Sequence, residues 1–543
     1  MPSLETLIHY GFLAGLALAV PMLFTLGVRV LVLGTQAHQD SARSAAAAAT
    51  HPDTSNHPVY YAGFFHPYPN AGGGGERVLW TMIKAIQDKY PFVVCVVYSG
   101  DRIARDDLVR SVQSKFGLAI RAESLYVVDL QWRSWVDHKY PRLTLLLQSI
   151  GSILLAAEAV HRFAPDMFID TVGYAFTYPL VAMLSARMPI ISYTHYPTIS
   201  SDMQTMVSSR ESGFNNDPRI ARSPALSSLK SAYYLAMAHA YAFAGSFASI
   251  VMTNSSWTHD HIVKLFDMPR MTKVVYPPCD TTALARFPLD NRRNIVMSLA
   301  QFRPEKNHRL QIDAFAKFLD EHPQHKAPPA AAKPALADIL SSDPEFPQLV
   351  MLGGARNLDD EARAESLRQL AKSLGIDRQV HVVVNAPWSQ VLKWLERSSL
   401  GIHTMRDEHF GINIVEMMAA GLLTIAHDSA GPKLDIITPA IHAVNGEVAA
   451  PSERDASAYL AAQEQGEAAE FRVGMVATTA DEFAQMIAFG LGVAGPVEQA
   501  LRTAARVAAT TKFSEAAFCT AFYRRFGPVV RWLDIQNSDN DEE

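Results

Sequence analysis

Two glutamates, Glu408 and Glu416, lie eight residues apart in "EHFGINIVE", and a glycine turn separates them. The residues between, "FGIN" (Phe410–Asn413), open an apolar-periodic run, so Gly411, Ile412 and Asn413 offer backbone amides at a predicted helix N-terminus. Unsatisfied N–H groups and partial positive charge there favour an anion. One acid before the turn and one a turn into the helix can hold a hexose and a ribose, with a diphosphate on the amides between them. Surface glutamates at this spacing are common, so the pair gains weight only from a second signal. "AQFRPEKNH" (Ala300–His308) supplies it: Arg303 and Lys306 sit three apart at the end of a predicted strand. Arginine can grip two phosphate oxygens and lysine adds a mobile point charge, which suits a diphosphate. The two segments together point to a nucleoside diphosphate sugar.

A third segment, "FFHPYPNAGGGGERVLW" (Phe64–Trp80), reads as strand, glycine loop and helix. Gly72–Gly75 let backbone amides approach a ligand without Cβ obstruction. The loop fits a dinucleotide site with Asp101 as the ribose acid, or the sugar-phosphate end of a nucleotide sugar held by another domain. A P-loop is excluded because no Gly-Lys-Ser/Thr follows.

These segments need strand ends and helix starts to hold them. Short apolar runs alternate with longer amphipathic ones from Val59 onward: Val59–Phe64, Phe92–Ser99, Leu125–Leu130, Asp166–Thr171, Pro189–His195 and Ser249–Ser255. After "YPPCD" the pattern restarts, with strands expected at Asn294–Ala300, Gln348–Gly354, Gln379–Val384, Leu400–Met405 and Leu422–Asp428. Near-continuous apolar strands separated by helices indicate parallel sheets covered on both faces. The expected class is α/β, with two doubly wound Rossmann-like domains facing a cleft. The boundaries predicted are an anchor at 1–34, a linker at 35–57, a first domain at 58–285 and a second at 286–515. Surface insertions are expected near 322–348 and 450–472, and a C-terminal helix with an acidic, disordered tail at 516–543.

The chain of 543 residues carries a net charge of −6, with no basic surplus to indicate nucleic acid. Its three cysteines are far apart and give neither a metal-ligand spacing nor a disulfide framework. Tyr10–Val28 contains no charged residue and is long enough, as a helix, to cross a bilayer. With Arg29 directly after it and no basic residue before it, it reads as a retained N-terminal transmembrane helix with the bulk of the chain in the cytosol. Two further apolar segments, Arg142–Val160 and Ser231–Val251, are either buried helices or a membrane-facing surface.

The combination of "FRPEKNH", "NAGGGGERV" and the spaced glutamates resembles the retaining GT-B glycosyltransferases with the E-x7-E signature. With "YTHYPTISSDM", "GSFASIVMTNSSWT", "VVYPPCD" and "TMRDEHFGINIVEMMAAG", it is similar to the endoplasmic-reticulum mannosyltransferase family that extends the dolichol-linked core oligosaccharide. The resemblance implies transfer of two α-1,2-linked mannoses from GDP-mannose to Man3GlcNAc2-diphospho-dolichol on the cytosolic face of the membrane. It implies that Arg303 and Lys306 meet the diphosphate, Glu416 the ribose and Glu408 the mannose. Gly411, Ile412 and Asn413 would support the donor through their amides, and Gly74 and Gly75 would close on its phosphate. His195, in "THYP", matches the family's active-site histidine. No cofactor and no metal are expected, since the two cations can do a metal's electrostatic work. Other mannosyltransferases of the pathway are candidate partners. Three rivals remain at this stage: a transferase directed to another lipid such as phosphatidylinositol, a non-catalytic membrane-bound scaffold, and a dinucleotide-dependent oxidoreductase.

Overall fold

The computed structural model describes residues 27–541 apart from 31, 54–56, 138–139, 141, 186, 200–202, 204–206, 208, 210–221, 329 and 445–446. The expected membrane span, Tyr10–Val28, falls almost wholly outside the described residues. The chain divides into two compact units. The first runs to Thr253, takes in Thr258–Val275 and is completed by the segment from Cys519; the second comprises Asn254–Trp257 and Tyr276–Phe518.

In the first unit, seven parallel strands form one sheet: β1 (Tyr60–Phe65), β2 (Val93–Ser99), β3 (Leu125–Asp129), β4 (Met167–Asp170), β5 (Ile190–Thr194), β6 (Ile250–Thr253) and β7 (Thr272–Val274). Their order is β3-β2-β1-β4-β5-β6-β7. Every residue of β1 and β2 is buried, as the unbroken apolar runs require when helices cover both faces. The order reverses direction between β1 and β4, and the crevice at such a switch point is where doubly wound sheets hold ligands.

The second unit repeats the plan. β8 (Arg293–Leu299), β9 (Gln348–Gly353), β10 (Val380–Val384), β11 (Ser398–His403) and β12 (Leu423–His427) are followed by a two-residue antiparallel pair, β13 (Ala443–Val444) and β14 (Glu447–Val448), and by β15 (Met475–Ala477). The main sheet is parallel, in the order β10-β9-β8-β11-β12-β15, so its switch lies between β8 and β11. Buried Arg502 braces this region. Its guanidinium donates to the carbonyls of Ser399 (3.0 Å) and Gly421 (2.7 Å) and pairs with Glu498.

Several expected boundaries differ. The 35–57 segment is not a linker: Gln36–Ala49 is a helix capped by Thr35, whose hydroxyl accepts the His38 amide at 3.2 Å. Its run of alanines is made of the strongest helix former. Gln39 and Arg43 fix the helix to the first unit, Arg43 pairing with Asp166 at 2.7 Å. The units part at Val275–Tyr276 rather than 285–286. The last helix, Glu515–Asp541, runs through most of the tail expected to be disordered. It is held to the first unit by Tyr523 on the Ala85 carbonyl and by Tyr60 on Asp534. The expected insertions carry short helices of their own, Leu336–Ser341 and Glu453–Glu464, each burying an apolar side chain.

Thr144–Arg162 is long and apolar enough to cross a membrane by composition, but one face packs on the first unit. At Gly151 an added Cβ would strike the Trp135 carbonyl, so only glycine permits that approach. Buried Glu158 on the same helix accepts the amides of Gln131 and Trp132 and pairs with Arg162. The other face is open. Leu143, Leu147, Ile150 and Leu154 are exposed at helical spacing, beside exposed Trp132 and Trp135. A neighbouring helix, Pro224–Gly245, is joined to it by the Leu146 amide donating to the Tyr233 hydroxyl, and exposes Leu229 (69%) and Phe243 (64%).

Candidate active site

In the second unit, pairing of β8 with β11 brings two distant sequence segments together. Beyond β8, Pro304–Lys306 forms a single 3-10 turn and Asn307 adopts a left-handed conformation before the helix His308–Glu321. Beyond β11, Glu408 precedes Gly411, whose φ of 106° and crowded Cβ position favour glycine at the start of the helix Ile412–Ala420. Glu408 is 8% exposed. Its Oε2 accepts from Lys306 Nζ and from His403 Nε2, the latter at 3.1 Å, and its Oε1 accepts the His409 amide at 3.2 Å. Burial alone would raise its carboxyl; Lys306 and the His403 hydrogen bond outweigh that and hold it well below the usual carboxylate range.

Lys306 therefore lies against Glu408 and Met405 Sδ, and an arriving phosphate has to share it. Arg303 is differently placed. Its Nε is buried with no hydrogen-bond partner among the described residues, and its closest carboxylate is Glu305, at 3.8 Å. Burial, and then repulsion from Arg356, pull its guanidinium below the ordinary arginine value. An anion would relieve both strains. Arg356 follows β9 in "GGARN" and was not singled out from the sequence. Asn413, expected to act through its amide, also uses its side chain: Nδ2 donates to the Leu299 carbonyl (2.6 Å) and to His403 Nδ1 (2.9 Å). Glu416 lies half-buried one turn along the same helix.

In the first unit, the C-terminal ends of β1, β4 and β5 converge in the same way. The helix Gly74–Lys89 begins inside the glycine run. Glu76 folds back, its Oε2 accepting the Gly73 amide at 2.5 Å and its Oε1 lying 3.4 Å from His66 Nε2. His66 is buried and meets Thr171 Oγ1 at 2.7 Å through Nδ1. One loop amide is thus taken internally, and those of Gly74 and Gly75 are left at the helix start without intrahelical acceptors. A Cβ built on Gly75 would lie 3.5 Å from His195 Nε2, so the structure does bring the glycine loop and His195 together. Asp101 is otherwise engaged: it pairs with Arg133 at 2.6 Å and accepts the Asn70 amide, which leaves it a structural brace for the glycine loop rather than a ribose acid.

The profile described as "ALG11 mannosyltransferase N-terminus" matches residues 59–266, and "Glycosyl transferases group 1" matches 281–465. A human protein named "GDP-Man:Man(3)GlcNAc(2)-PP-Dol alpha-1,2-mannosyltransferase" is 39% identical over 465 residues, covering 84% of this chain and 85% of its own length. Mouse and Dictyostelium discoideum proteins of the same name are 44% and 41% identical, covering 72% and 69% of this chain and 77% and 72% of theirs. The chain belongs to this mannosyltransferase family. Solved structures give the fold independently. Trehalose 6-phosphate synthase from Burkholderia multivorans superposes with a TM-score of 0.54 at 12% identity, covering 87% of this chain and 99% of its own. Sucrose-phosphate synthase from Thermosynechococcus elongatus does so at 0.53 and 11%, with the same coverage. The mannosyltransferase chain is therefore a GT-B glycosyltransferase, and the oxidoreductase reading of its glycine loop is set aside.

Proposed function

We propose that the chain transfers mannose from GDP-mannose, in α-1,2 linkage, to Man3GlcNAc2-diphospho-dolichol and then to the Man4 product, on the cytosolic face of the endoplasmic reticulum. The observation that carries this reading is a buried carboxylate, Glu408, kept ionised by Lys306 and His403 beside a helix N-terminus, in a chain 39% identical to a relative named for that reaction. Glu408 holds the mannose hydroxyls and Glu416 the ribose. The amides of Gly411, Ile412 and Asn413 support the donor, and Arg303 and Lys306 take the diphosphate. As the bond from the anomeric carbon to phosphate breaks, charge gathers on GDP, and fixed cations there lower the barrier. The acceptor hydroxyl bonds to the anomeric carbon on the face the phosphate leaves, and its proton passes to a departing phosphate oxygen. Configuration is thereby retained. With these cations in place, no metal is assigned to the reaction.

Gly74, Gly75 and His195 are assigned a part in transfer within the first unit. Gly75→Val pushes methyl groups toward the His195 ring. Transfer is expected to fall about a hundredfold, the usual cost of a small misplacement at a reacting centre, while the melting temperature stays close to that of the parent. Equal losses of activity and folding would count against the assignment.

The open apolar faces of Thr144–Arg162 and Pro224–Gly245 suit a lipid surface, and the acceptor's polyprenyl chain gives such a surface a purpose. Charging them, as in Ile150→Glu with Phe243→Glu, should shift the protein from vesicles to the soluble fraction in flotation assays without altering GDP binding. Unchanged flotation would contradict this.

The donor assignment is tested by supplying the Man3 acceptor with GDP-mannose, UDP-glucose or UDP-N-acetylglucosamine. Only GDP-mannose should give product. Comparable transfer from a UDP-sugar would overturn it.

A further inference from the structure

His403 enters the account above only as a donor that helps keep Glu408 ionised, yet it is 1% exposed and ends β11 directly against Glu408. Its protonation can be worked out from its neighbours. Asn413 Nδ2 lies 2.6 Å from the Leu299 carbonyl, which can only accept, so the amide nitrogen and not the oxygen must face it. The second hydrogen of that nitrogen points to His403 Nδ1, 2.9 Å away, which must then accept. A neutral imidazole whose Nδ1 accepts carries its proton on Nε2. That proton faces Glu408 Oε2 at 3.1 Å. Burial favours the neutral ring, a tendency that Glu408 only partly offsets.

We propose that His403 is a positioning residue for the transfer reaction: its Nε2–H holds the Glu408 carboxylate in the orientation that receives the donor hexose, and Asn413 fixes the tautomer that makes this possible. The proposal rests on the reading of Glu408 as the hexose-binding acid. An ionised carboxylate offers about four acceptor positions. Lys306, His403 and the His409 amide account for three, which leaves room for a sugar hydroxyl in a defined direction. Lys306 cannot do the orienting alone, because its ammonium sits on a flexible stem and also serves the phosphate. A ring fixed at a strand end can. Being neutral, it adds no second positive charge beside Lys306.

The test uses the full-length protein and the variants His403→Gln, His403→Asn, Asn413→Ala and Glu408→Gln. A glutamine amide nitrogen overlays the Nε2 position and can still donate to Glu408; an asparagine nitrogen overlays Nδ1 and cannot reach it. His403→Asn should lower kcat/KM for GDP-mannose roughly ten- to a hundredfold, the range for losing a buried hydrogen bond to a charged group. Binding of GDP, which has no hexose, should be unchanged, and His403→Gln should recover most of the loss. Asn413→Ala leaves the tautomer to Glu408 alone and should weaken GDP-mannose use by less than His403→Asn does. If His403→Asn matches the parent, or if His403→Asn and His403→Gln lose GDP binding and thermal stability alike, the inference is overturned. Glu408→Gln separates the two levels. If it impairs GDP-mannose use and His403→Asn does not, only the positioning role fails. If Glu408→Gln has no effect, the hexose-binding reading fails and the inference falls with it.

Discussion

Replacing Glu408 by glutamine is expected to lower kcat/KM for GDP-mannose by a factor on the order of 10²–10³, the range seen when one preorganised electrostatic contact is removed. Glutamine keeps the shape but presents a neutral amide to two donors, Lys306 and His403, that are set for an anion. The loss should fall on reactions of the hexose and spare GDP affinity. Some stability is lost as well, since Lys306 is left without its ionic partner. Breaking a fully buried pair costs about 3–5 kcal/mol. The Lys306 side chain is 20% exposed, so water restores part of that and a lower figure is expected. The pH dependence has a definite sign. A carboxyl held below its unfolded value contributes stability that is present above the unfolded pKa and lost as pH falls through the folded one. Glu408 therefore stays ionised across the neutral and mildly acidic range. The acid limb of the activity profile should keep its midpoint in Glu408→Gln.

Arg303→Met is the second large effect, also on the order of 10²–10³, and it should appear mainly in kcat. Arg303 is part-buried and repelled by Arg356, and the carboxylates that act on it, Glu305 at 3.8 Å and Asp360, offset this only in part. Its unmet charge is available for the phosphate that departs. Lys306→Met should lose more than Arg303→Met, because it removes a phosphate contact and the partner of Glu408 together. Arg303→Met and Arg356→Met should combine non-additively, as expected for neighbours sharing one anion. The parent protein should retain activity in a chelator. Activity that vanished there and returned with Mn²⁺ would transfer the electrostatic role from Arg303 and Lys306 to a metal.

Much of the fold was legible because buried parallel strands announce themselves as unbroken apolar runs. β1, β2, β8 and β9 fall where those runs lie. Segments that are themselves chemical, such as "FRPEKNH" and "EHFGINIVE", were equally visible, since charges and glycine cluster within a few residues. His403 and Arg356 were not. Each is a single polar residue at or near the end of an apolar strand, and its importance comes from pairing in the sheet order β9-β8-β11, which no local pattern reveals. The 35–57 segment was misread for a related reason: alanine carries helix propensity but no periodicity, so its docking through Gln39 and Arg43 left no signal. Short β7, β13, β14 and β15 lack the length that makes a strand recognisable. The C-terminal helix is polar at its end, and the contacts that order it, Tyr60 with Asp534 and Asn537, span almost the whole sequence.

The most direct test of the central claim is to incubate the purified full chain with GDP-mannose and Man3GlcNAc2-diphospho-dolichol in detergent, then to determine the mass and linkage of the released glycan. The account predicts growth by two hexoses, both α-1,2-linked mannose, and an initial rate about 10²–10³ lower with Glu408→Gln under the same conditions. A product with another linkage or another sugar, or undiminished product from Glu408→Gln, would contradict it.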